Sequence, residues 1–142
     1  MQSFLQNSPK YAPAIVRIGM SLVFVWFGFN QMLHPAAWTG YVPDSITALF
    51  GGNSTLLVLF NGWFEIVGGL TLLLGLQVRL VSFLLGVHLF VISSSLGMSA
   101  LAIRDYGLSI ATISILFAGP DVWSTDKRLL AENTEETVGA QG

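Results

Sequence analysis

Seven residues able to carry charge, protons or strong hydrogen bonds stand within or beside stretches that are otherwise apolar: Arg17, Gln31, Asn61, Glu65, His88, Arg104 and Asp105. A charged group at mid-span costs roughly 2.5 to 3.5 kcal/mol on insertion scales, so such groups normally face a bundle interior or a watery cavity. Glu65 lies nine residues into an apolar run that begins at Leu56, and His88 eight residues into one that begins at Leu80. If the runs are antiparallel helices rising about 1.5 Å per residue, both side chains arrive near half-height. A carboxyl and an imidazole at one depth can hydrogen-bond, pair as ions or pass a proton, which makes Glu65 and His88 the candidate catalytic groups. Asn30, Gln31, Asn61, Arg104 and Asp105 fall toward the outer half, and the spacing predicts a polar pocket there that opens outward. Arg17 is either part of that lining or an anchor whose charged end snorkels to the cytoplasmic edge. Plainer roles compete with these: Glu65 bonded to a neighbouring helix, His88 bridging two helices, and Arg104 with Asp105 forming a solvated turn.

Other chemistries lack their residues. The chain has no cysteine, which removes disulfides, thiol nucleophiles and thiolate metal sites. No metal site is expected. Haem would need a second axial ligand facing His88, and the other histidine, His34, falls in a loop. The net charge of -2 gives no basic surface for nucleic acid.

The elements that must position these groups are membrane spans. Of 142 residues, 53% are apolar and only 10% charged, with a mean hydropathy of +0.68, so a water-soluble domain could not cover its own surface. About 20 apolar residues cross the hydrocarbon layer. The sequence predicts four spans at about 12–32, 56–76, 80–98 and 103–118, with residues 1–11 a cytoplasmic segment and 124–142 a mostly disordered cytoplasmic tail. Lys10 and the Ala12-Pro13-Ala14 triplet imitate a cleavable signal, but the triplet precedes the apolar run, so the first span should stay attached as an anchor. Between the first two spans, Pro35 and Pro43 break helix periodicity, while Trp38 and Tyr41 suit a headgroup layer. Gln77-Val78-Arg79 joins the second and third spans as a tight antiparallel hairpin, and Gly119-Pro120 ends the fourth. Lys10, Arg17, Arg79, Lys127 and Arg128 fall on one side and Arg104 alone on the other, which predicts both termini in the cytoplasm. The fold class expected is all-α, an integral membrane four-helix bundle with a short interfacial segment.

Helix arithmetic gives each of three spans one seam of polar and small residues. Arg17, Ser21, Phe24, Gly28 and Gln31 recur at spacings of four and three, as do Asn61, Glu65, Gly68, Leu72 and Gly75, and Asp105, Ser109, Thr112, Leu116 and Gly119. Such seams suit helices packed closely around a shared interior.

The order of these features resembles the DoxX family of small bacterial membrane proteins. The residues that carry the likeness are Arg17-Ile18-Gly19 leading to Trp26-Phe27-Gly28, the loop from Pro35 to Pro43, Glu65-Ile66-Val67-Gly68-Gly69, and Arg104-Asp105-Tyr106-Gly107-Leu108 leading to Gly119-Pro120-Asp121-Val122-Trp123-Ser124-Thr125-Asp126. The resemblance implies a multi-pass protein of the bacterial cytoplasmic membrane tied to respiratory or redox physiology, with relatives among thiosulfate:quinone oxidoreductase subunits. It supplies no agreed catalytic set. Three functions are then open. The first is a redox-associated subunit whose pocket holds a quinone- or lipid-like molecule, a quinone being the one cofactor admitted, with Glu65 and His88 handling protons at its ring oxygens. The second is a non-catalytic assembly or scaffold subunit of a larger membrane complex. The third is a small proton-coupled transporter, which asks for an inverted repeat. The expected partners are the lipid bilayer and either further copies of the chain or the other subunits of a complex.

Overall fold

The computed structural model describes residues 2–49 and 51–139. Among them are helices and no strands: α1 (Gln2–Leu33), α2 (Asp44–Leu49), α3 (Ser54–Leu74), α4 (Val78–Ser95), α5 (Ala100–Ala118) and α6 (Thr125–Gly139). Four stretches are long and apolar enough to cross a membrane: Pro9–Leu33, Ser54–Leu74, Val78–Ser95 and Ala100–Ala118. The chain is therefore an all-α bundle of four membrane-crossing helices.

Local chemistry sets the helix ends. The Asn53 side chain accepts from Leu56 N–H and the Ser99 hydroxyl from Ala102 N–H, so α3 and α5 begin two to three residues ahead of their apolar runs. The segment after α1 folds as two 3₁₀ turns, Pro35–Ala37 and Thr39–Tyr41, followed by the short α2. At its start α1 runs as helix from Gln2 through Pro9 and Pro13. The tail differs from expectation in that Thr125–Gly139 is helical, and its first two residues bond to the α3–α4 turn. Residues 140–142, the end of the tail expected to be disordered, lie outside the described residues.

The closest helix partners are α1 with α3 and α4 with α5. Joined by a tight turn, α3 and α4 meet over a shorter stretch than the hairpin reading implies. Glycine placement explains the choice. A Cβ on Gly28 would lie 2.6 Å from the Gly62 carbonyl oxygen, and one on Gly62 would lie 2.9 Å from that of Gly28, so these two backbones touch. Between α4 and α5, Gly86 faces Ile113 and its carbonyl accepts from the Ser109 hydroxyl at 2.8 Å. Without a hydrophobic drive between helices in lipid, close approach of this kind and such hydrogen bonds hold the pairs together. The predicted seams are the buried faces: Arg17, Ser21, Phe24 and Gln31 of α1, Glu65 and Leu72 of α3, and Asp105, Ser109 and Thr112 of α5 are all buried. An apolar core of Met20, Phe24, Leu72, Val78, Leu85 and Ile115 joins the two pairs in the half that carries the termini.

Candidate functional site

The polar centre is built from α1 and α3. Gln31 ends the α1 seam, Asn61 and Glu65 stand one turn apart on α3, and the Gly28–Gly62 contact brings the two helices close enough for direct bonds. Gln31 Nε2 donates to Glu65 Oε2 at 3.0 Å, Asn61 Nδ2 to Glu65 Oε1 at 3.0 Å, and Asn61 Nδ2 also to Gln31 Oε1 at 2.7 Å. Glu65 is 4% exposed. Buried carboxyls in apolar surroundings need such donors, and here amides supply them with no lysine or arginine in bonding range among the described residues. On α4, His88 places Nε2 at 3.9 Å from Glu65 Oε1, beyond hydrogen-bond length, while its ring packs on Phe64 with centroids 4.6 Å apart. Its Nε2 is shut from solvent and has no hydrogen-bond partner. A short side-chain shift would let that nitrogen share a proton with Glu65.

Above this cluster a cavity of about 200 Å³ lies in the loop-end half of the bundle. Gln31, Asn61, Glu65, Arg104 and Asp105 supply its polar lining, and Phe24, Phe27, Val58, Leu89, Ile92 and Leu108 are among its apolar walls. The interhelical segment roofs it with Trp38, Tyr41 and Ile46. Trp38 is held in place by donating Nε1–H to Asn30 Oδ1 at 2.9 Å and by an edge contact with Phe27 at 5.7 Å. Arg104 pairs with the adjacent Asp105 at 2.8 Å and lies 5.2 Å above the Phe27 ring, so the pair belongs to the cavity wall and not to a free turn.

Two expected members lie elsewhere. His88 is not in the lining; its Nε2 lies 3.9 Å from Glu65 Oε1, which belongs to a lining residue. Arg17 is remote from the cavity, at the end that carries the termini. It is 1% exposed, its Nε donates to Asp121 Oδ2 at 2.6 Å, and its Nη1 donates to the carbonyls of Leu72 and Leu73 at 2.8 and 2.7 Å. Neither pocket lining nor snorkelling describes it, because an inward-facing carboxylate from beyond α5 captures it instead. Burial opposes the charged form of Asp121, but the hydrogen bond and charge of Arg17 and the Trp123 N–H outweigh it and hold this carboxyl below its usual range. Sequence reasoning missed Asp121, Trp38 and Tyr41 as builders of the interior. An acidic residue just past the fourth span, on the same side as a cation in the first, was the signal for Asp121.

A bundle of membrane-crossing helices that keeps a hydrogen-bonded carboxyl beneath a mostly apolar vault defines a multi-pass membrane protein with an internal polar centre. The particular kind follows from the family comparison. The chain belongs to the DoxX family, whose model matches residues 12–97, from the first span through the end of α4. Arg104, Asp105 and the closing segment thus stand outside the matched stretch. Comparisons with curated proteins and with solved structures return no match.

Proposed function

We propose that this chain is a redox-associated subunit of a bacterial cytoplasmic membrane, with both termini in the cytoplasm, and that the cavity holds the ring of a quinone-like molecule. The observation that carries the reading is the Gln31–Asn61–Glu65 cluster set at the base of apolar and aromatic walls. Ligand sites commonly combine a largely apolar lining with a few convergent polar groups. The excess of Lys and Arg beside the termini and the α3–α4 turn supports the orientation.

The residues present suit a quinone. Phe27 and Trp38 offer ring faces and edges, the two amides offer donors and acceptors, and a carboxyl is in reach to hold or give up a proton. A bound quinone would supply two-electron, two-proton chemistry, its electrons arriving from a partner protein. Glu65 would hold a proton at its carboxyl oxygens and give it to the reduced ring, and His88, with Nε2 3.9 Å away, would relay a replacement to the carboxyl. Gln31 and Asn61 fix the carboxyl and thereby the ring.

Equilibrium binding of a decyl-tailed benzoquinone to the protein in lipid nanodiscs tests this. Saturable binding that weakens about tenfold, or 1.4 kcal/mol, in Glu65→Gln is the expected result. Equal binding by that variant, with its thermal midpoint intact, overturns the reading and leaves a scaffold role.

A further inference from the structure

A cavity of about 200 Å³ is smaller than the roughly 300–1,000 Å³ typical of sites that enclose a drug-sized ligand. It has room for one ring and none for a long chain, so the way out matters.

The seam between α3 and α4 is closed over its lower part. The turn at 75–77 joins the helices, a Cβ on Gly68 would lie 2.8 Å from Leu85 Cδ2, and Phe64 touches His88. Continuing the same faces toward the loop end, at spacings of three and four, brings Asn61 and Leu57 on α3 opposite Val91, Ile92 and Ser95 on α4. These residues line the cavity, and Val91 is 56% exposed. All five lie inside membrane-crossing stretches, so an opening between them would face acyl chains and not water. None carries a charge. Farther in, two carboxyls, Glu65 and Asp105, stand against Arg104, which Asp105 already pairs; among the described residues an anionic headgroup would find no other cation in the lining.

We infer that the upper α3–α4 seam is a lateral portal through which an amphiphile with an uncharged, hydrogen-bonding ring and a hydrocarbon tail enters from the bilayer, the ring reaching Glu65 while the tail stays between Leu57 and Ile92. This rests on the cavity reading proposed above, and adds the tail requirement and the route.

A benzoquinone carrying a diazirine at the end of a decyl tail is photolysed with the full chain in nanodiscs, with and without excess unlabelled decyl analogue. Competed labelling of peptides containing 57–61 and 91–95 is expected, falling about tenfold in Val91→Trp, which narrows the gap at an exposed position. Competed labelling confined to 38–46 or to 100–108, or unaffected by Val91→Trp, overturns the portal and leaves the cavity reading intact. Labelling that excess analogue does not compete overturns the cavity reading and the portal together.

Discussion

Arg17 on α1 and Asp121 beyond α5 form a two-pronged ion pair, Nε to Oδ2 at 2.6 Å and Nη2 to Oδ1 at 3.2 Å, with both side chains 1% exposed. The same guanidinium donates to the carbonyls of Leu72 and Leu73 near the C-terminal end of α3. One side chain therefore ties the first span, the second span and the closing segment.

Breaking this pair leaves an uncompensated buried charge, which typically costs about 3–5 kcal/mol. Asp121→Asn is expected to lower the thermal midpoint strongly. Adding Arg17→Met to it should recover part of the loss, because the stranded cation is gone. A double variant no more stable than Asp121→Asn alone would contradict this account.

The pair also fixes a pH dependence. The folded carboxyl titrates below its unfolded value, ordinarily about 3.9 for Asp, so its contribution is fully present above that value and is lost as pH falls through the depressed folded value. Thermal midpoints measured below about pH 4 should drop more steeply for the wild-type chain than for Asp121→Asn. Parallel profiles would show that Asp121 does not govern acid stability.

Gly28 allows no side chain where α1 meets α3, since an added Cβ would press on the Gly62 carbonyl and Ile66. Gly28→Ala should destabilise by about 1–3 kcal/mol, as overpacking usually does. Gly19→Ala is the control: Gly19 is exposed, with nothing within 4 Å of the added atom. Chemical denaturation of both variants in detergent gives the comparison, and equal midpoints would refute the close approach.

The start of α4 has no cap of its own; Gln77 makes no side-chain capping bond. Asp126 provides it, accepting from Gln77 N–H at 2.9 Å and Val78 N–H at 2.8 Å. Asp126→Ala should cost about 0.5–2 kcal/mol, the usual range for a lost cap. Faster proteolysis within 75–79 is the signature to look for; an unchanged cleavage rate would speak against it.

Spacing alone exposed the faces that became interior, because in a bundle the residues that lipid rejects must share a stripe. It also brought Gln31, Asn61 and Glu65 toward one another. Two things escaped it. Helix pairing depends on where glycines let backbones touch, and the 28–62 contact outweighs the short 75–77 link that made α3 and α4 look like closest partners. Contacts that bridge irregular segments have no periodicity: Trp38 reaches back to Asn30 across the first 3₁₀ turn, and Asp126 caps a helix 48 residues upstream. The tail read as formless from its polarity, yet Thr125 and Asp126 bind Leu74 and Gly75 and so anchor the start of α6.

Synthesis runs from the N-terminus, and Arg17 precedes its carboxylate by 104 residues. At ordinary translation speeds of about 5–20 residues per second, the first span therefore waits roughly 5–20 s with its cation unmatched. Until the final stretch leaves the ribosome, no order of insertion can deliver the finished assembly. A chain truncated before Asp121 would place its first span in the bilayer with Arg17 still lacking its carboxylate.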